Sequence, residues 1–365
     1  MKLKEIIRVL ETAAPLQLQE SYDNSGLITG NTEMEISSAL LTLDCTEEIV
    51  NEAIEKKCNL IIAHHPIVFS GLKKINGNNY VERTIIKAIK NDIAIYAAHT
   101  NLDNIQNGVN RVISEKLGLH STKILSPKKQ LLKKLFTFVP VATADEVRNA
   151  LFAAGAGDIG NYSECSFNMD GYGTFKGNDI SNPTSGVKGI RHREDEVKVE
   201  VILPAWREKN IVAALFDAHP YEEVAYDIVL LENYFQNVGA GLVGELSVEM
   251  NEQDFLSLVS KSMKAEVIRH TEFLNQKISR VAVCGGAGSF LLKDAIASGA
   301  QAFITADFKY HQFFDAEKKI LICDIGHYET EQFTSQIFRD LLMINFPTFA
   351  TLLSKTNTNP IKYFH

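Results

Sequence analysis

The amino-acid sequence predicts an α/β protein with a three-layer core, made of two related halves with mixed sheets and interrupted by an inserted ferredoxin-like α+β domain. Three observations lead to this prediction. Short apolar segments of strand length alternate with helical segments in residues 1–128 and again in residues 232–365, as in βαβ units. The two stretches share a hydrophobic pattern, and residues 129–231 between them differ from both in composition and order. A chain of 365 residues is long enough for two or three domains.

In the first half, apolar residues recur at helical spacing in residues 3–12, which predicts an amphipathic helix that ends before Pro15. Thr46 followed by two glutamates is typical of a helix start, and this helix should extend to about residue 57. The expected strands are residues 38–45, 60–64 and 93–98. Because these strands alternate with helical segments, we expect a sheet with substantial parallel character.

The second half repeats this order of elements. The expected strands are residues 280–284, 302–305 and 319–323, with a helix at 289–298. Residues 59–65 (NLIIAHH) match residues 301–307 (QAFITAD) in hydrophobic pattern, and residues 95–98 match residues 321–324. We interpret this repetition as an internal duplication in which two related α/β halves complete one domain.

The middle of the chain, residues 129–231, has the pattern of a separate module. Its expected strands are residues 134–139, 197–203 and 225–230, and its expected helices are 144–153 and 207–217. A βαβ-type unit that is repeated with loops between its parts is typical of a ferredoxin-like fold. Glycines and asparagines concentrated in residues 155–178 indicate turns and a long loop.

Charge and composition restrict the partners of the protein. The chain has 37 basic and 45 acidic side chains, a net charge of −8, which argues against nucleic acid or an anionic membrane as a partner. No apolar run approaches the roughly 20 residues that span a bilayer, and the first residues lack the features of a signal peptide. The five cysteines form no CxxC pair, which is typical of a reducing compartment. We therefore expect a cytoplasmic protein.

Histidines and acids follow the predicted strands. Five of the ten histidines lie near strand ends, namely His64, His65, His99, His311 and His327. Acids accompany them at Asp103, Asp307, Asp324 and Glu331. Open α/β sheets bind ligands beyond the carboxyl ends of their strands, so these side chains should converge on one crevice.

These histidines could be hydrogen-bonded structural residues, or they could bind metal. Adjacent imidazoles at His64 and His65 are hard to bury unless both are satisfied. If a helix begins after Gly326, His327 and Glu331, four residues apart, lie on the same face of it. The spacing therefore favours a metal site. Mixed imidazole and carboxylate ligands suit zinc, manganese, iron, cobalt or nickel.

Five segments carry a family resemblance: residues 23–27 (DNSGL), 63–66 (AHHP), 99–103 (HTNLD), 305–311 (TADFKYH) and 326–331 (GHYETE). In this order they resemble the sequence blocks of the Nif-three-like dinuclear-metal proteins, also known as GTP cyclohydrolase I type 2 homologues. The family's first block usually opens with Trp-Asp-Asn, whereas Tyr22 precedes Asp23 here. The middle domain resembles the insertion of longer bacterial members, which is similar to signal-transducing trimeric ferredoxin-like modules.

The resemblance implies a toroidal homohexamer with two divalent metal ions per subunit, of which zinc is the expected metal. Its implied ligands are His64, His65, Asp103, His327 and Glu331. Two metal ions in one site could activate water and stabilise the attacking and leaving oxygens, with either Glu331 or Asp103 as the bridge. The candidate catalytic residues are His99, His311 and Tyr310, which could transfer protons or only support the site by hydrogen bonding.

The sequence leaves two functions open. The first is a metal-dependent hydrolase that acts on a small nucleotide-like or phosphorylated substrate. The alternative is a non-catalytic, metal-dependent regulatory or ligand-sensing hexamer, with the same metal ligands. Residues 284–289 (CGGAGS), between a predicted strand and a predicted helix, could bind a phosphate through backbone amides or could simply form a tight turn.

Overall fold

The computed structural model describes residues 1–364. It divides into two compact units, one formed by residues 1–126 with the chain from residue 237 onward, the other by residues 127–236. The second unit is slightly longer than the expected insert, 129–231. No helix in residues 1–364 is long and apolar enough to cross a membrane.

The first part of the larger unit contains five helices and five strands. In chain order they are α1 (Leu3–Ala13), β1 (Gly26–Thr29), β2 (Ser38–Thr42), α2 (Glu47–Glu55), β3 (Leu60–Ala63), α3 (Tyr80–Lys90), β4 (Ala94–Ala97), α4 (Thr100–Asp103), α5 (Val109–Lys116) and β5 (Leu119–Lys128). Helix α1 forms because Leu3, Ile6 and Leu10 recur on one face, which is buried. Asn79 caps α3 by accepting a hydrogen bond from the backbone N–H of Glu82.

The smaller unit contains β6 (Leu132–Pro140), α6 (Ala144–Ala153), β7 (Ser166–Phe175), β8 (His192–Pro204), α7 (Glu208–Ala218) and β9 (Tyr226–Leu231). The order βαββαβ and the sheet order β7-β8-β6-β9 are those of a ferredoxin-like module. Residues such as Val147, Leu151, Val199 and Leu215 form its own apolar core. Strand β7 lies in a region where the sequence indicated only turns and a loop. The strand was missed because most of its side chains are exposed and it contains two glycines.

The last part of the chain returns to the larger unit. Its elements are β10 (Phe235–Asn251), α8 (Glu252–Met263), β11 (Arg269–His270), β12 (Lys277–Ala287), α9 (Leu292–Ala297), β13 (Ala302–Ala306), β14 (Leu321–Asp324), α10 (His327–Glu331), α11 (Thr334–Asn345) and β15 (Ala350–Leu353). The sheets have the orders β1-β4-β3-β2-β15 and β11-β14-β13-β12-β10-β5. Both mix parallel and antiparallel pairs, which confirms the predicted α/β class.

In the larger unit, the sheet built mainly from the first half of the chain includes one strand of the second half, and the sheet built mainly from the second half includes one strand of the first. Strand β15 pairs in parallel with β2, and β5 lies beside β10. The largest apolar core contains residues of both sheets, including Leu41, Ile62, Val281 and Ile304. The two halves therefore form one domain and could not fold as independent units without exposing this core.

The strand registers correct one detail of the proposed duplication. Leu60 pairs with Ala94 in the first sheet, and Ala302 pairs with Leu321 in the second. If Leu60 and Ala302 are equivalent, the equivalent of Leu321 is Ala94, one residue before the Ile95 that the hydrophobic pattern aligns with it. In fully buried parallel strands every residue is apolar, so the pattern alone does not define the register.

Candidate metal centre

The functional side chains of the larger unit follow the carboxyl ends of its parallel strands. His64 and His65 come directly after β3, and both of their backbone N–H groups donate to the carbonyl of Leu43 at 3.0 Å. His99 follows β4 and precedes α4, and His327 begins α10 just after β14. Parallel strands of one sheet end at the same edge, so His64, His65 and His99 lie together there, whereas His327 follows a parallel strand of the second sheet.

The imidazole rings of these four histidines form a contiguous cluster. Ring centroids are 4.9 Å apart for His64 and His65, 5.2 Å for His64 and His99, and 5.3 Å for His65 and His99. His327 joins from the second sheet, with its ring centroid 5.3 Å from that of His65. The site is therefore built by both halves of the core.

Two carboxylates lie among the ring nitrogens. Glu331 Oε2 is 3.0 Å from His65 Nε2 and 3.1 Å from His327 Nε2. On the other side, His64 Nε2 is 3.6 Å from Asp103 Oδ1 and 3.8 Å from Glu331 Oε1. The side chain of Glu331 is only 3% exposed. It thus presents one oxygen to each side of the cluster.

Within residues 1–364, three groups of side chains place their ligand atoms within 4.8 Å of one another and could hold a metal ion. They are His65 with His327 and Glu331, His64 with Asp103 and Glu331, and His64 with His65 and His99. All five ligands that the family resemblance implies occur in the first two groups. Glu331 belongs to both.

The donor atoms themselves favour a cation. Four buried atoms of the cluster, namely His64 Nε2, His65 Nε2, Asp103 Oδ1 and Glu331 Oε2, make no hydrogen bond of good geometry, although His65 Nε2 and Glu331 Oε2 lie 3.0 Å apart as an ion pair. Buried polar atoms are nearly always paired, so four such atoms in one cluster need an explanation. Divalent metal ions would satisfy them, one ion in each of the first two groups, and the residues present therefore fit such ions.

Each histidine is oriented through its other ring nitrogen. The Nδ1 atoms donate to four acceptors: His64 to the Ala98 carbonyl at 2.8 Å, His65 to Asp44 Oδ1 at 2.7 Å, His99 to Asp23 Oδ1 at 2.8 Å, and His327 to Asp307 Oδ2 at 2.7 Å. Such bonds fix the tautomer that leaves Nε2 free to bind metal. The sequence suggested that Asp307 could orient a histidine, and it contacts His327.

Sequence reasoning did not identify Asp23 and Asp44 as parts of the site. The side chain of Asp23 is fully buried, and its carboxylate also accepts from the backbone N–H of Thr100 at 3.0 Å and from the Ser25 hydroxyl at 3.0 Å. The sequence contained a feature that could have identified each of them. Asp44 follows β2, the strand beside β3, and Asp23 lies in the first block of the family resemblance.

Charges of the cluster shift its pKa values in opposite directions. Burial lowers the pKa of His65 and His327, but the adjacent carboxylates outweigh burial and raise these values to about 10 and about 11. Burial and the charge of Glu331 raise the pKa of Asp103 to about 8. Burial opposes ionisation of Glu331 too, yet the neighbouring imidazoles, His327 first, hold its pKa well below the usual range. Without metal, protons thus neutralise part of the cluster.

His311 and Tyr310, two of the three candidate catalytic residues, do not join the cluster. They begin a 3₁₀ helix, Tyr310–Ala316, in which both side chains are exposed, and their rings contact each other and Phe314. Asp324 also points elsewhere, since it accepts hydrogen bonds from Arg269 and from the backbone N–H of Phe308. His99 is the candidate that the fold brings to the site.

The cluster forms one wall of a cavity of about 660 Å³. Residues 284–287 line another wall. In this glycine-rich segment, Gly286 occupies a position where a side chain would not fit. Its φ is +60°, and a Cβ there would lie 2.6 Å from Glu331 Oε1 and 3.2 Å from His327 Cε1. The glycine lets the backbone approach the acidic centre of the cluster more closely than a residue with a side chain could.

Comparison with known proteins places the chain in a family. A family model described as Duf34/NIF3 (NGG1p interacting factor 3) matches residues 1–360. A protein of Halalkalibacterium halodurans named GTP cyclohydrolase 1 type 2 homolog is 40% identical over 324 residues, which cover 88% of this chain and 87% of that protein. A Bacillus subtilis protein of the same name is 38% identical over 365 residues, covering 99% and 98% of the two chains.

Solved structures agree with these matches. The crystal structure of a Bacillus cereus protein related to NIF3 has a TM-score of 0.87 and 38% identity to this chain, and covers 100% of this chain and 99% of its own. A Staphylococcus aureus protein of known crystal structure has a TM-score of 0.79 and 29% identity at the same coverage. The family model and these relatives span almost the whole chain, and the protein accordingly belongs to the Duf34/NIF3 family.

Proposed function

We propose that this protein is a metal-dependent hydrolase with two divalent metal ions per subunit, acting on a small nucleotide-like or phosphorylated substrate. One observation carries the proposal: four buried donor atoms that make no hydrogen bond of good geometry lie together beside a cavity of about 660 Å³. A cavity of this size accommodates a small organic ligand, and such sites usually combine apolar walls with a few polar groups.

His65, His327 and Glu331 would hold one ion, and His64, Asp103 and Glu331 the other. Zinc is the proposed metal because the donor set combines three imidazole nitrogens with carboxylate oxygens, and manganese, iron, cobalt and nickel are the alternatives. Bound metal would supply Lewis-acid activation of water and of the substrate.

His99 is the side chain we assign to proton transfer. Its Nδ1 is held by Asp23 at 2.8 Å, which leaves Nε2 available near the cluster. The fully buried carboxylate of Asp23 would stabilise the imidazolium that forms when Nε2 accepts a proton from an attacking water. Such a buried pair suits a general base.

Aromatic side chains at the cavity support a ring-containing substrate. Tyr22, Phe69 and Phe290 line the cavity and are 64%, 48% and 67% exposed. The ring centroids of Tyr22 and Phe69 are 6.2 Å apart, and Phe69 lies 6.1 Å from His99. Exposed aromatic faces beside a polar site favour stacking with a planar base.

The test of this function is a screen of metal-reconstituted protein against nucleotides, phosphodiesters and cyclic amides. We expect turnover with at least one of these classes, which is lost on chelation and restored by metal. Protein that holds two metal ions per chain but turns over no member of these classes would contradict the hydrolase and favour the regulatory alternative.

The homohexamer remains a prediction from the family resemblance. Light scattering at micromolar concentration should give a mass six times that of the chain. A monomer or dimer at that concentration would contradict the proposed ring.

Metal binding should release protons at pH 7. The pKa values of His65, His327 and Asp103 all lie above 7 in the metal-free protein, so each group carries a proton that the metal must displace. Apparent affinity should therefore rise with pH. Calorimetry of zinc binding in two buffers with different ionisation enthalpies measures the released protons.

The same titration at pH 9 is the control. Asp103, with a pKa of about 8, has then lost its proton, so fewer protons should be released than at pH 7. Zinc binding without net proton release at pH 7 would show that the cluster is not protonated as the structure indicates.

The smaller unit should be dispensable for metal binding. All the proposed ligands lie outside residues 127–236, and the flanking strands β5 and β10 are neighbours in one sheet, so a short linker can join residue 126 to residue 237. We expect the deletion variant to stay folded and to keep full metal content by elemental analysis. A soluble variant whose metal content falls to near zero would show that the smaller unit is needed for the site.

A further inference from the structure

The C-terminal strap, defined here as residues 354–359, follows the last strand of the larger unit. Strand β15 pairs with β2, and the backbone N–H of Ser354 extends this pairing by donating to the Leu41 carbonyl at 2.9 Å. The buried carboxylate of Glu52 on α2 then accepts three bonds from the strap: from Ser354 Oγ at 2.6 Å, from the Lys355 backbone N–H at 2.9 Å and from Thr356 Oγ1 at 2.7 Å. The strap is thus anchored on the first sheet.

Beyond this anchor the strap reaches two elements of the metal centre. Thr358 Oγ1 donates to Asp44 Oδ2 at 2.5 Å, while the other oxygen of Asp44 accepts from His65 Nδ1 at 2.7 Å. The next residue, Asn359, donates from Nδ2 to Glu329 Oε1 at 3.1 Å. Glu329 belongs to α10, the helix that carries His327 and Glu331.

Asp44 needs a second hydrogen-bond partner to hold the ring of His65 in one orientation. The terminal torsion of an aspartate is soft, so a carboxylate with a single hydrogen bond can rotate and take its partner with it. The hydroxyl of Thr358 occupies the second oxygen and leaves one orientation for the first. In that orientation the His65 ring directs Nε2 at Glu331 Oε2, 3.0 Å away.

We propose that Thr358 is a positioning residue of the metal centre, which sets the orientation of His65 through Asp44. This inference rests on the proposed metal site. The C-terminal strap contacts both halves of that site, through Asp44 on the side of the first sheet and through Glu329 on α10. Its contribution to metal binding comes from the hydroxyl of Thr358 rather than from the strap's packing.

The test compares three variants of the full chain with zinc as the probe. Thr358→Val removes the hydroxyl and keeps the shape of the side chain, whereas Thr358→Ser keeps the hydroxyl. Thr356→Val is the matched control, because Thr356 lies in the same strap and also donates to a carboxylate, but that carboxylate is Glu52, which contacts none of the clustered histidines. Competition with a chromophoric chelator gives zinc affinity, and ¹⁵N shifts of the His65 ring in the zinc-bound protein report its tautomer.

Thr358→Val should lower zinc affinity about tenfold, the lower end of the range for outer partners of metal ligands, and should weaken the Nδ1–H tautomer of His65. Thr358→Ser should restore both, and Thr356→Val should leave both unchanged. Unchanged affinity in Thr358→Val, or an equal loss in Thr356→Val, would overturn the positioning role while leaving the metal site intact. If wild-type protein binds no zinc or other divalent metal, the proposed function itself fails.

If Thr358→Val does not fold, Thr358→Ala replaces it, since a partly exposed position tolerates a smaller side chain. The same outcomes then decide the inference.

Discussion

Glu331→Gln is expected to lose both metal ions, whereas loss of a single imidazole should leave one. Glu331 presents Oε2 to His65 and His327 and Oε1 to His64, so its charge would lie between the two ions. Two unit charges 4 Å apart repel by about 4 kcal/mol at an effective dielectric constant of about 20, and divalent ions repel more strongly. The neutral amide has the same shape but removes this compensation. Elemental analysis of purified variants gives metal ions per chain.

The loss of metal affinity in Glu331→Gln should be large. A loss of about 4 kcal/mol corresponds to about a thousandfold in affinity. Asp103→Asn is the matched control, because Asp103 is the other carboxylate of the cluster and belongs to only one of the candidate metal groups. The Asp103→Asn variant should lose one metal ion at most. If Glu331→Gln keeps two ions while Asp103→Asn keeps one or none, Asp103 is the bridge; two ions in both variants would exclude a charged bridge altogether.

Gly286→Ala is expected to abolish tight metal binding while the protein stays folded. The added methyl carbon would lie 2.6 Å from Glu331 Oε1 and 3.3 Å from His327 Nε2, so both side chains must move. Displacing a site residue by about 1 Å can cost about a hundredfold in function, and a comparable loss of zinc affinity should appear in chelator competition.

Gly299→Ala separates this contact from backbone strain. Gly299 also has a positive φ, +79°, but a Cβ there would meet nothing within 4 Å. Both substitutions should lower the free energy of unfolding by about 1–2 kcal/mol, the cost of a left-handed conformation for alanine. Only Gly286→Ala should lose metal. Equal zinc affinity in the two variants would show that the backbone does not approach the cluster as closely as described.

The local hydrophobic pattern was sufficient to predict the strands whose residues are buried. Apolar runs at β3, β4, β13 and β14 predicted parallel strands, and the rule that ligands lie beyond strand ends correctly brought His64, His65, His99 and His327 together. It was insufficient for β7, whose exposed side chains give no hydrophobic period. It did not indicate that Tyr310 and His311 lie outside the cluster, because a position after a strand does not specify the direction of the side chain.

The sequence by itself therefore determined the α/β class, the family and the clustered histidines, because each depends on local pattern or on short blocks of residues. Only the tertiary structure decided which carboxylate holds which imidazole. Asp23 bonds His99 across 76 positions of sequence, and Thr358 bonds Asp44 across 314. Such bonds depend on where two distant segments bring individual atoms within about 3 Å, and neither residue type nor periodicity encodes that distance.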